Sequence, residues 1–170
     1  MPQLASPPRL MLPTIAVRES WLAAERAARA ADGGPTDVLE QAEADFAGFV
    51  APRQGTRILW EVPCSVWWYI SGTEYVGEIV VRHKLTPALE RIGGHIGYEI
   101  APAWRRQGHA TAMLAAGLVE SRRLGLGKVL LTCDADNEGS RRVILANGGV
   151  PDGRIEHEDR FWITLPGQQA

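Results

Sequence analysis

The segment GHIGYEIAPAWRRQGHAT, Gly94 to Thr111, constrains the fold of this chain more than any other. Its first half sets Ile96, Tyr98 and Ile100 at alternate positions, the period of a strand with one face turned inward. Its second half passes through Arg105, Arg106, Gln107 and Gly108 into an alanine-rich run that reads as a helix. A helix N-terminus presents unpaired backbone N–H groups and partial positive charge, so it binds phosphate. The phosphate must come close to the backbone, and Gly108 and Ala110 keep bulk out of the first turn. Arg105 and Arg106 add charge there, and Thr111 a hydroxyl. The turn suits a diphosphate. The chain has no GxxxxGK[ST] and no GxGxxG after a first strand, which argues against a P-loop nucleotidase and a Rossmann dinucleotide site.

The rest of the chain frames this turn. A helix is predicted from about Ile15 to Ala31, stopped by Asp32-Gly33-Gly34-Pro35. Thr36 suits the N-cap of a second helix reaching to Pro52, with Leu39, Ala42, Phe46 and Phe49 along one face. RILWEVP and SVWWYI are rich in β-branched and aromatic residues and read as strands. The turn SGTE joins them to YVGEIVVRH as a hairpin. TPALERI is a short helical turn. After the opening strand come a helix ended by glycines, the buried strand KVLLTCD, the helix NEGSRRVILANGG and a last strand, RFWITL. The order predicts an α/β (α+β) mixed sheet, mostly antiparallel and covered by helices. Trp67 and Trp68 face opposite ways: one belongs to the core, the other packs under a helix or lines a groove. Trp60, Phe161 and Trp162 are expected in the core. The prolines of residues 1–13 suggest a loose lead-in.

Length and charge narrow the function. A chain of 170 residues suits one domain with a real core, and a net charge of −2 gives no footprint for nucleic acid or an anionic membrane. No apolar run reaches membrane-spanning length, and no secretory apolar core opens the chain. Two cysteines without a CxxC make a cytoplasmic protein the simplest reading. His83 and His95 lack partners at metal-ligand spacing, so no metal is expected and a structural role is. Cys133 sits in an apolar strand with no activating base in view and reads as core.

The pattern Arg/Gln-x-x-Gly-x-Gly/Ala, met by Arg105, Gly108 and Ala110, resembles the pyrophosphate loop of the GCN5-related N-acetyltransferase (GNAT) superfamily. Pro102 closing IGYEIAP, Asn137 closing LGLGKVLLTCDADN, and the NGG ending of the next helix strengthen it. The resemblance is specific over residues 93–150 and is closest to bacterial predicted acetyltransferases of unassigned substrate. It implies one GNAT domain over residues 1–170, with residues 93–150 as its coenzyme-binding core. It implies a central splay between the strand of Tyr98 to Ala101 and that of Lys128 to Cys133. Acetyl-CoA would be the co-substrate, without a metal, and would be bound by Ile100, Ala101, Arg105, Arg106, Gln107, Gly108, His109, Ala110, Thr111, Asn137 and Ser140. Backbone groups left unpaired near Ile100 would bond the pantetheine arm, and an N–H there would polarise the thioester. The acetyl group would pass directly to a primary amine of a small molecule or peptide. Neither nucleic acid nor membrane is implied as a partner, and a homodimer is left open.

Many superfamily members carry a tyrosine as general acid in the helix after the asparagine. Counting from Asn137, that position falls at Ile144, which cannot donate a proton. Tyr98, Glu99, His95, Glu78 and Asp134 are the nearby acid or base candidates. Alternation predicts that only one of Tyr98 and Glu99 faces the cleft. Tyr98, in phase with Ile100, is the preferred orienting or acid group, and Glu99 is expected at the surface or against a helix. The missing tyrosine also motivates an alternative: a non-catalytic acyl-CoA-binding or sensor protein with a degenerate catalytic site. Residues 14–52 and 84–92, which would build the acceptor groove, are mixed in charge and do not name the acceptor.

Overall fold

The computed structural model describes residues 2–167. Its strands are β1 (Arg9–Met11), β2 (Arg57–Leu59), β3 (Val62–Ser71), β4 (Glu74–Arg82), β5 (Ile96–Ile100), β6 (Lys128–Asp134), β7 (Val150–Ile155) and β8 (Glu158–Thr164). Its helices are α1 (Arg18–Asp32), α2 (Asp37–Ala44), α3 (Phe46–Val50), α4 (Pro87–Arg91), α5 (His109–Arg123) and α6 (Glu138–Ala146). Two antiparallel sheets result. The first runs β1-β3-β4-β5, with β2 also on β3; the second runs β6-β8-β7.

The long apolar strands organise the core. Trp68 and Tyr75 on one face of the first sheet meet Trp21 of α1 and Phe46 and Phe49 of α3, and the ring centroids lie 4.8–6.4 Å apart in the contacts of Trp21. The α5 helix covers the other face. A side chain at Gly117 would collide with Ile79, so this glycine sets how closely α5 approaches the sheet.

Several local expectations are corrected. Residues 9–11 are a strand, not a loose lead-in: Arg9, Leu10 and Met11 pair with Ile70, Tyr69 and Trp68. The second predicted helix breaks at Asp45, whose carboxylate accepts the Gly48 N–H at 2.9 Å and starts α3. RILWEVP is not one strand. Trp60 and Glu61 take positive φ values of 51° and 64° and form a tight turn between β2 and β3. That turn carries Trp60 out of the core: it is 53% exposed, with the Arg82 guanidinium 4.3 Å above its ring. Trp162 is only half-buried and donates to Asp152 at 2.9 Å, whereas Phe161 is fully buried. Trp68 is the core member of its pair and Trp67 is half-buried against the same core. The exposed edge strand β7 was not expected at all. Cys133 is buried, as expected. No helix among the described residues is long and apolar enough to cross a membrane.

The two sheets meet at β5 and β6. Gly94 makes an isolated bridge with Leu131. His95 N–H donates to the Leu130 carbonyl at 2.7 Å, Leu130 N–H donates to His95 Nδ1 at 2.9 Å, and Gly93 N–H donates to Thr132 Oγ1 at 2.9 Å. A side chain at Gly94 would strike the Leu130 carbonyl. Beyond this joint the strands part, and the sheet splays.

Candidate active site

The splay opens a cleft of about 750 Å³. Tyr98, Glu99 and Ile100 line it from β5; Arg105, Arg106 and Gly108 to Thr111 from the start of α5; Asp136 to Ser140 and Val143 from α6; and Asp32 from the end of α1. The fold therefore gathers nearly every residue singled out in the sequence. Of the residues expected to bind the coenzyme, two do not join them. Ala101 is buried, its N–H bonded to the Val76 carbonyl at 2.9 Å. The Gln107 amide turns back to donate to the Ala103 carbonyl at 3.2 Å.

At the start of α5, Gly108 has a φ of 83°, a left-handed conformation that favours glycine. No protein atom lies within 4 Å of where its Cβ would stand, so the space over the turn is open. The two arginines differ. Arg105 Nε donates to the Ile100 carbonyl at 3.0 Å, and its guanidinium grips Asp32 at 2.6 and 3.3 Å. Each shifts the other, their hydrogen bond first of all: Asp32 is held below the usual carboxylate range and Arg105 above its own. The charge of Arg105 is thus paired with Asp32 within the protein, while the residue still lines the cleft. Arg106 is exposed and makes no ion pair among the described residues.

The edge of β5 supplies the opposite wall. Since the Ala101 N–H bonds back to β4, ladder alternation turns the N–H groups of Tyr98 and Ile100 away from β4 and toward the cleft. Both Tyr98 and Glu99 line the opening, from opposite faces of the strand. The expectation that only one could do so assumes a strand flanked on both sides, and the splay removes one flank.

The Tyr98 phenol lies 2.7 Å from Ser140 Oγ. Its surroundings raise its proton affinity, and the Ser140 hydrogen bond opposes that. Ser140 is fixed in turn by Asn137, whose Oδ1 accepts the Ser140 N–H at 3.0 Å as the N-cap of α6. Ile144 is not in the cleft. It is fully buried, packed against Gly149, and Val143 faces the opening instead. The hydroxyls at this wall are those of Tyr98 and Ser140, which lie 42 residues apart in sequence. Of the other candidates, His95 is buried at the joint, where burial and the charges of Arg82 and Lys128 push its pKa down to about 4. Neither His95 nor Asp134 lines the cleft.

Two antiparallel sheets that splay apart beside a glycine-led helix N-terminus suit an acyl-coenzyme arm. The acetyltransferase (GNAT) domain model matches residues 10–150, and the chain belongs to that family of acetyl-CoA-dependent acetyltransferases. No curated protein matches the chain in sequence. Solved structures share its fold at low identity. The ribosomal L7/L12 alpha-N-protein acetyltransferase RimL, in complex with coenzyme A, superposes with a TM-score of 0.67 at 14% identity, over 96% of this chain and 97% of that one. Mycobacterium smegmatis RimJ in complex with CoA-disulfide gives 0.63 at 20% identity, over 96% and 88%. The microcin C7 self immunity acetyltransferase MccE, in complex with acetyl-CoA and AMP, gives 0.60 at 12% identity, over 94% and 93%.

Proposed function

We propose that the chain moves an acetyl group from acetyl-CoA directly to a primary amine of a small molecule or a peptide. The observation that carries this reading is one continuous cleft. It joins the open turn over Gly108 to the unpaired edge of β5 and to the Tyr98–Ser140 pair.

Acetyl-CoA would supply an activated thioester carbonyl. The first-turn N–H groups from His109 to Thr111, with Arg106 beside them, suit its diphosphate. The outward N–H groups of Tyr98 and Ile100 suit the arm and the thioester oxygen, an oxyanion-hole role. Holding both reactants in one cleft supplies much of the acceleration. The hydrogen bond between Tyr98 and Ser140 at the cleft supports Tyr98 as the donor to the departing thiolate in place of a tyrosine at Ile144. The fold is shared with an enzyme named for a protein alpha-amine, which supports testing a peptide N-terminus among the first acceptors.

The test has two parts. Calorimetric titration should show acetyl-CoA binding. A thiol-release assay with a panel of small amines and peptide N-termini should then show turnover. Tight binding with no turnover across the panel would sink the reading.

A further inference from the structure

A second groove, of about 630 Å³, lies at the far end of β5 from the cleft, beside the joint between the sheets. Trp60 and Glu61 line it from the turn between β2 and β3, Arg82 from the end of β4, and Thr86, Arg91 and Ile92 from α4 and its caps. It shares no lining residue with the cleft. Arg82 is its polar centre and is only 9% exposed. Nη1 donates to the carbonyls of Gly93 and Gly94 at 3.1 and 3.0 Å. Nε is buried without a partner, and Nη2 makes no hydrogen bond among the described residues. Those two nitrogens share one edge of the guanidinium, the edge that matches both oxygens of a carboxylate.

A buried charge without a partner is costly, and a guanidinium does not escape the cost by giving up its proton. Two other arginines, Arg29 and Arg160, also carry a buried Nε without a partner. Each has a carboxylate beside it: Glu25 at 2.9 Å from Arg29, Asp152 at 3.1 Å from Arg160. Arg82 forms no ion pair among the described residues, and its groove neighbour Arg91 is paired with Glu156 at 3.6 Å. Burial is the first cause lowering the proton affinity of Arg82, and no carboxylate is among the charges that oppose it. The missing partner is therefore an anion from outside the chain. One cation balances one negative charge, and Glu61 at the rim repels a second.

We propose that this groove binds a small monocarboxylate with an apolar body, its two oxygens on Nε and Nη2 of Arg82 and its body against Trp60 and Ile92. Both of those apolar side chains are exposed, and the Trp60 ring already lies 4.3 Å from the guanidinium carbon. The turn that brings the indole there is an expensive one. Two successive positive φ values favour asparagine, aspartate or glycine, yet the chain spends them on Trp60 and Glu61. The site is separate from acetyl transfer and does not rest on that reading.

Benzoate, its neutral isostere benzamide and inorganic phosphate, each titrated into the nitrogen-15-labelled full chain, test the proposal. Benzoate should shift the Arg82 Nε–H resonance, assigned by through-bond correlation, and should bind at least about tenfold tighter than benzamide or phosphate. Trp60→Ala, a change at an exposed position, should weaken benzoate by about two- to tenfold. Saturating acetyl-CoA should leave benzoate affinity unchanged. An Nε–H resonance that stays in place throughout the benzoate titration overturns the site, as does benzamide binding as tightly as benzoate. Phosphate binding as tightly as benzoate overturns the choice of a monocarboxylate, and an unweakened Trp60→Ala overturns the place of its body. Displacement of benzoate by acetyl-CoA puts it in the cleft and overturns a separate groove.

Discussion

His95 Nδ1 accepts the backbone N–H of Leu130 at 2.9 Å, so an imidazole makes the last bond between the two sheets before they part. A protonated Nδ1 cannot accept. The ring must stay neutral for the joint to hold, and burial with the charges of Arg82 and Lys128 favours that by lowering its pKa to about 4.

The sign of the linkage follows. Because the folded pKa lies below the unfolded one, the stability carried by neutral His95 is complete above about pH 6.5. It is lost as pH falls toward 4, by about 3 kcal/mol at the limit. Glu78, raised to about 7, works the other way and loses its contribution as pH rises. Urea unfolding of wild type and His95→Leu across pH 4 to 7 separates the two. The variant should be about 1–3 kcal/mol less stable at pH 7, with its Leu130 N–H unpaired, and the difference should shrink toward pH 4. A gap independent of pH would show that the ring matters only as bulk.

Arg106, not Arg105, should carry the salt dependence of coenzyme binding. Arg106→Ala should weaken acetyl-CoA binding and flatten its dependence on ionic strength, since an exposed charge is screened. Arg105→Ala should instead loosen the end of α1 and leave the slope nearly intact. Calorimetric titrations at several salt concentrations check both. Equal slopes in wild type and Arg106→Ala would remove the electrostatic role.

Gly108 combines a left-handed backbone with open space. Gly108→Ala should cost stability about 1–2 kcal/mol through the backbone alone. Gly108→Val should reduce acetyl-CoA affinity well beyond tenfold, because its side chain fills the space a phosphate would need. Binding by calorimetry and unfolding by denaturant separate these effects, and unchanged affinity in a folded Gly108→Val protein would place the phosphate elsewhere.

Tyr98→Phe should lower turnover while leaving coenzyme affinity near wild type. General acid–base help is worth about a hundred- to ten-thousand-fold, and a thiolate needs the least of it, so the loss should sit at or below the low end. Ser140→Ala should add little once Tyr98 is gone, because the two hydroxyls act as one unit. Additive losses in the double variant would count against a shared role.

What could be read from the sequence followed the range of the interactions. The strand into Gly108 and the helix after it are specified locally, by alternation and by small residues, and both stand where expected. The strand at Arg9 to Met11 exists only because β3 pairs with it, and no three-residue segment announces a distant partner. β7 hides its signal because nearly all of it is exposed, and its register shifts between Pro151 and Arg154. Trp60 reads as core by composition, but a two-residue turn with positive φ carries it outward. In the site, the phosphate turn was legible because one continuous segment builds it. The meeting of Tyr98 with Ser140 depends on packing between helix and sheet. Ile144 lay at the counted position, yet the rotation of α6 turns it to the core.

The joint at Gly93 to His95 also bears on how the molecule comes apart. A continuous sheet shares its hydrogen bonds across every strand, so it opens as one unit. Here the hydrogen bonds between the two sheets narrow to a few at one end, so the β6-β8-β7 unit should exchange its amides as a separate block. A molecule seated along the open edges would stitch the blocks together. Its concentration would then set the cooperativity of unfolding as well as the midpoint, by mass action on the folded form.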